Sequence, residues 1–142
     1  MKTINELQQE MNRLAAQLNA PLPKYNRLVT IPTKDPKPSN GVWYELADGK
    51  YLEHSTEERT YEHKVRVIRD ENELLYTLTK QLIIRMAGDW EMNHRKPGVD
   101  VRRINFAKRI ELFGLINQQW QQRVSEDIQA TLSNAPYRDG NN

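Results

Sequence analysis

Nine apolar side chains crowded between Leu74 and Trp90 limit this chain more than any other feature. At a helical step of about 100° per residue, Leu74, Leu75, Leu78, Leu82, Ile83, Ile84, Met86, Ala87 and Trp90 cover more than half a helix's circumference. Such a helix packs on more than one side. Asp70 with Glu73 three residues later signals its start, and Pro97-Gly98 breaks it beyond His94. Asp100 can cap a following helix from Val101 to near Ile116, and Asn117 a last one carrying Trp120, Val124, Ile128 and Leu132 at core spacing. The helical half therefore spans 70–133, and residues 134–142, with Pro136 and Gly140, read as a fraying tail.

Ahead of it the periodicity changes. Thr3 and Glu6 form a capping box, and Ile4, Leu7, Met11, Leu14 and Leu18 make one narrow stripe on an N-terminal helix within 1–20. That stripe suits the chain's own core or a seam with a second copy, so the expected state is a monomer or a weak dimer through this helix. Leu28, Val29 and Ile31 suggest a strand over Lys24–Ile31, and the prolines of Pro32–Gly41 demand a loop. Val42–Leu46 and Lys50–His54 flank Asp48-Gly49, a pair suited to the positive φ angles of a tight hairpin. Over Thr60–Ile68, Tyr61, His63, Val65 and Val67 alternate with Glu62, Lys64 and Arg66, which predicts a strand whose apolar side, with a partly buried His63, faces the core. The reading is an α+β fold in a single domain 1–142: an N-terminal helix, a small antiparallel sheet of three or four strands within 24–68, then three helices packed on it.

Composition excludes several functions. The chain has 142 residues and no cysteine, so a disulfide framework, a thiolate nucleophile and a zinc-cysteine site are ruled out. A net charge of +2, from 21 basic and 19 acidic residues, supplies no field for nucleic acid. No apolar run approaches a membrane span and no signal core is visible, so the expected location is cytoplasmic, with no membrane partner. No phosphate loop, paired-histidine metal motif or nucleophile elbow occurs, so neither cofactor nor metal is expected.

The densest chemistry lies at the break between helices, where Glu91, Arg95, Asp100, Arg102 and Arg103 form a charged corner beside His94. Glu91 and Arg95 are one helical turn apart, and a carboxylate-guanidinium network there would fix the angle between two helices. The alternative is a small hydrolase or ligand-binding domain using Glu91 or Asp100 as base, His94 as shuttle and the arginines as anion clamps. Carboxylates beside arginines make poor bases, which counts against it. On the wheel Arg103 starts among Ile110, Ala107 and Gly114, so it is expected to be buried on a carboxylate, Glu91 first, then Glu73 or Asp89. Two patches remain as candidate partner-binding surfaces: Glu53, Glu57, Glu58 and Glu62 at a strand-to-strand turn, and the strip of Arg102 and Arg109.

One series of spaced residues goes further. Glu73-Leu74-Leu75-Tyr76, Met86-Ala87, Trp90-Glu91 through Arg95, Gly98, Asp100, Arg102-Arg103, Phe106-Ala107-Lys108, Glu111-Leu112, Leu115, Asn117 and Trp120 resemble the bacterial family known as immunity protein 63. The resemblance covers about Asp70 to Ile128. It departs at Trp90, where the family usually has tyrosine, and after Asn117, where a proline often follows. It implies a cytoplasmic antidote that binds and neutralises a toxin domain encoded nearby, by stoichiometric contact and with no catalytic residue of its own.

Overall fold

The order of elements follows the local signals closely, with one exception near the N-terminus. The computed structural model describes residues 1–140 apart from Pro36, Lys37, Ser39, Asn40 and Glu58. Helix α1 (Ile4–Gln17) and helix α2 (Leu22–Val29) precede strands β1 (Gly41–Ala47), β2 (Lys50–Thr56) and β3 (His63–Ile68); helices α3 (Glu71–Met92), α4 (Val101–Gly114) and α5 (Gln118–Asn134) follow. The three strands form one antiparallel sheet in the order β1-β2-β3, so the class is α+β. The chain divides into two compact units, Met1–Ala16 with Pro21–Thr79, and Gln17–Ala20 with Lys80–Asn142.

Each predicted start signal acts as read. The Thr3 hydroxyl accepts the Glu6 N–H and the Glu6 carboxylate accepts the Thr3 N–H, both at 3.1 Å. Asp70 accepts the N–H of Glu73 at 2.9 Å, Asp100 that of Arg102 at 2.9 Å, and Asn117 that of Trp120 at 3.0 Å. Each cap satisfies a donor that the first helical turn leaves without an internal partner. The hairpin turns where expected: Ala47 pairs with Lys50, and Asp48 and Gly49 take φ of 51° and 72°. A β-branched residue resists that conformation, so Gly49→Val should cost about 1–2 kcal/mol in urea unfolding; a parent-like midpoint would show that the turn tolerates a side chain.

In the first unit, Leu7, Met11 and Leu14 of α1 are buried together with Tyr44, Tyr51 and Ile68 of the sheet and Leu74 and Leu78 of α3. The Thr79 hydroxyl, fully buried, lies 3.6 Å from the Met11 sulfur. Leu7, Met11 and Leu14 of the α1 stripe are thus covered within the first unit, and Ile4 is half-buried. In the second unit α4 packs on α5, and Phe106, Leu112 and Phe113 on one helix and Trp120, Val124 and Ile128 on the other are buried.

Two sequence expectations are corrected here. The predicted strand over Lys24–Ile31 is instead helix α2. Pro21 stands at its N-cap and Pro23 lies in the first turn, where a fixed φ and a missing N–H suit a helix start. Tyr25 and Val29, one turn apart, are its buried residues. Gln8 of α1 holds the helix end, donating to the Val29 carbonyl at 2.9 Å and accepting the Ile31 N–H at 2.7 Å.

The second correction concerns β3, whose core side is the reverse of that predicted. Its only buried residue is Ile68, which pairs with buried Tyr51. Pairing across the sheet puts Ile68 on the face of Arg66 and Lys64, so Val65 and Val67 fall on the other face, 50% and 58% exposed. Tyr61 and His63 are exposed as well.

Candidate partner-binding surface

The charged corner is held together by its own contacts and by the C-terminal segment. Buried Glu91 accepts from Arg95 at 2.7 Å. Asp100 accepts two contacts from Arg102 Nε at 3.3 and 3.2 Å, one from Arg102 Nη2 at 2.8 Å, and the Arg138 N–H at 2.8 Å. Arg102 also donates to the carbonyls of Ala135 and Pro136, both at 2.7 Å. These donors, the Arg102 guanidinium foremost, hold the Asp100 carboxyl well below the usual carboxylate range.

Arg103 is not buried on Glu91, Glu73 or Asp89. Its side chain is about half exposed, and Asp139 accepts from its Nε at 2.9 Å and pairs with its Nη2 at 2.8 Å. The tail read as fraying is instead tied down over Ala135–Gly140, with Asp139 accepting the Asp100 N–H at 2.8 Å and Gly140 donating to the Gly98 carbonyl at 2.9 Å. Tyr137 lies under the Arg103 guanidinium, 4.1 Å from its ring centroid. Asn141 and Asn142 lie outside the described residues.

His94 stacks on Trp90 with ring centroids 3.7 Å apart, and its Nδ1 is 2.7 Å from the Trp90 carbonyl. Glu91 is engaged by Arg95 and Asp100 by Arg102. One open depression in the first unit is lined by Met1, Lys2, Glu6, Tyr51, Arg69, Asp70 and Glu71. Lys108 pairs with Glu111 at 2.9 Å and stands over the Trp90 ring at 3.8 Å.

The predicted patches separate by how much of each is free. In the acidic one, Glu53 accepts from the Tyr44 hydroxyl at 3.0 Å and from Arg66 Nε and Nη2 at 3.1 Å each, so it is engaged internally. Glu57 and Glu62 face solvent; the Glu57 N–H donates to the Glu62 carbonyl at 3.0 Å, and Glu62 lies 3.8 Å from Lys64. Glu58 lies outside the described residues. In the basic patch Arg102 is engaged at the corner. Arg109 is half-buried against Phe106, 5.2 Å from the ring centroid, and burial lowers its pKa.

Sequence reasoning missed a cluster on the sheet face that carries Val65 and Val67. Trp43 and buried His54 stack with centroids 3.8 Å apart, His54 Nε2 lies 3.1 Å from Glu45 Oε1, and His54 Nδ1 lies 2.8 Å from His63 Nε2. Between two imidazole nitrogens one must donate and one accept, and the Glu45 carboxylate takes the other His54 N–H. The hairpin could have revealed half of this cluster, since a turn at Asp48-Gly49 sets Trp43 opposite His54. Among the described residues no group of three or more His, Cys, Asp or Glu side chains is placed to hold a metal ion, and no helix is long and apolar enough to cross a membrane.

In the first unit the outer side of β3 exposes Val65 and Val67, with the Glu45–His54–His63 chain beside them and Glu57 and Glu62 at one end. A protein-family model described as Immunity protein 63 matches residues 49–130, from the hairpin turn through β2, β3, α3, α4 and most of α5. No curated protein and no solved structure matches the chain.

Proposed function

This chain belongs to the immunity protein 63 family, and from that premise we propose that it is an antidote acting in the cytoplasm by binding and neutralising the toxin domain encoded beside it. The family match carries the reading, because it takes in both the helical core and the β2–β3 region whose surface is free. Such an antidote needs a stable scaffold and an exposed patch with an apolar centre and a polar rim. Val65 and Val67 supply the first, and Glu57, Glu62 and Lys64 the second. Glu53 supports this surface indirectly, through the Tyr44 and Arg66 contacts that hold the sheet. Inhibition is by occupancy, with no turnover.

The test is co-expression with the neighbouring toxin domain, followed by co-purification. Growth should be restored by a stable one-to-one complex. Failure to capture that toxin domain, with growth still arrested, would remove the antidote reading.

A further inference from the structure

We propose that the outer edge of β3 receives an extended segment of the toxin domain as a fourth strand of the sheet; this rests on the antidote reading above. β3 lies at the edge of the sheet, with β2 on its inner side. In an antiparallel pair, residues alternate between turning both backbone groups toward the partner strand and turning both away. The bond from the Glu57 N–H to the Glu62 carbonyl sets the phase. The register then has Lys64, Arg66 and Ile68 bonding inward to β2, while His63, Val65 and Val67 turn N–H and C=O outward. Every residue from His63 to Val67 is exposed, so this row of groups is open to an incoming strand.

The side chains state what that strand should carry. On one face it meets His63, Val65 and Val67, which suit apolar residues. On the other it meets Glu62, Lys64 and Arg66 in turn. Arg66 already holds Glu53, whereas among the described residues Lys64 has only Glu62 at 3.8 Å, so an acid opposite Lys64 and a base opposite Glu62 complete the charge pattern. A second copy of this chain fits worse. Symmetric antiparallel pairing centred on Lys64, Val65 or Arg66 sets Lys64 against itself, Lys64 against Arg66, or Arg66 against itself, and like charges directly opposite destabilise a sheet.

Val65→Pro separates this mode from ordinary side-chain contact. It deletes an outward N–H and leaves the β2–β3 ladder bonds in place, as prolines on edge strands do. With the full chain and the neighbouring toxin domain, Val65→Pro and Lys64→Glu should each weaken binding by about 30-fold or more, the loss expected of a dominant interface residue. A Glu126→Lys control on α5 should bind like the parent. Toxin binding should also slow amide exchange at His63, Val65 and Val67. If Val65→Pro melts far below the parent, Lys64→Glu and the exchange measurement decide. A parent that captures toxin while both variants bind equally well, or with no slowing at those amides, overturns strand addition and leaves the antidote reading intact. A parent that captures no toxin removes both, and a parent dimer dissociated by Val65→Pro shows that a second copy is the occupant.

Discussion

Phe113→Ala should destabilise the helical unit by about 3–5 kcal/mol, the usual loss for removing a buried aromatic side chain. Phe113 is completely buried, on the helix whose packing partner is α5. Truncation removes its burial and leaves a void that neighbouring Leu112, Trp120, Val124 and Ile128, held by two helical backbones, close only in part. Urea unfolding followed through Trp120 would read the effect as a lower midpoint at unchanged slope. A loss below about 1 kcal/mol would mean that the site collapses onto the gap, against the packing described.

Asp100→Asn should release both the start of α4 and the C-terminal segment, because one carboxylate accepts from the Arg102 N–H, the Arg102 guanidinium and the Arg138 N–H. The amide has one acceptor oxygen and no charge, so it cannot replace that set. The expected result at neutral pH is a lower Tm and faster tryptic cleavage after Arg138. The pH dependence follows from the direction of the shift. The folded-state pKa of Asp100 is depressed, so its contribution is complete above the unfolded carboxylate range, about 3.9 for aspartate, and is lost as pH falls through the lower folded value. Asp139, depressed chiefly by Arg103, acts in the same direction. The variant should therefore lose less stability than the parent between neutral and acid pH. Parent-like melting at neutral pH together with unchanged cleavage would show that the corner holds without this carboxylate.

What the sequence by itself determined about this protein lies within a few residues of each signal. The caps at Thr3, Asp70, Asp100 and Asn117, the break at Pro97-Gly98 and the turn at Asp48-Gly49 could be read because each is a local bond or a backbone angle that the side chain itself prefers. The residues of the family resemblance belong here too, since the matched region covers them. Apolar spacing alone did not separate α2 from a strand, because Leu28, Val29 and Ile31 satisfy both patterns over so short a run. The start at Pro21 and Pro23, and the hold of Gln8 from another helix, decided it.

Only the tertiary structure decided which side of β3 is buried. Alternation specifies two faces without saying which one meets the core, and the pairing of Ile68 with Tyr51 made that choice. The same holds for Arg103, whose partner Asp139 lies 36 positions along the chain, and for His54 and His63, which meet across neighbouring strands. A charge chooses among acids by distance after folding, and distance between residues far apart in sequence exists only once the chain has returned on itself.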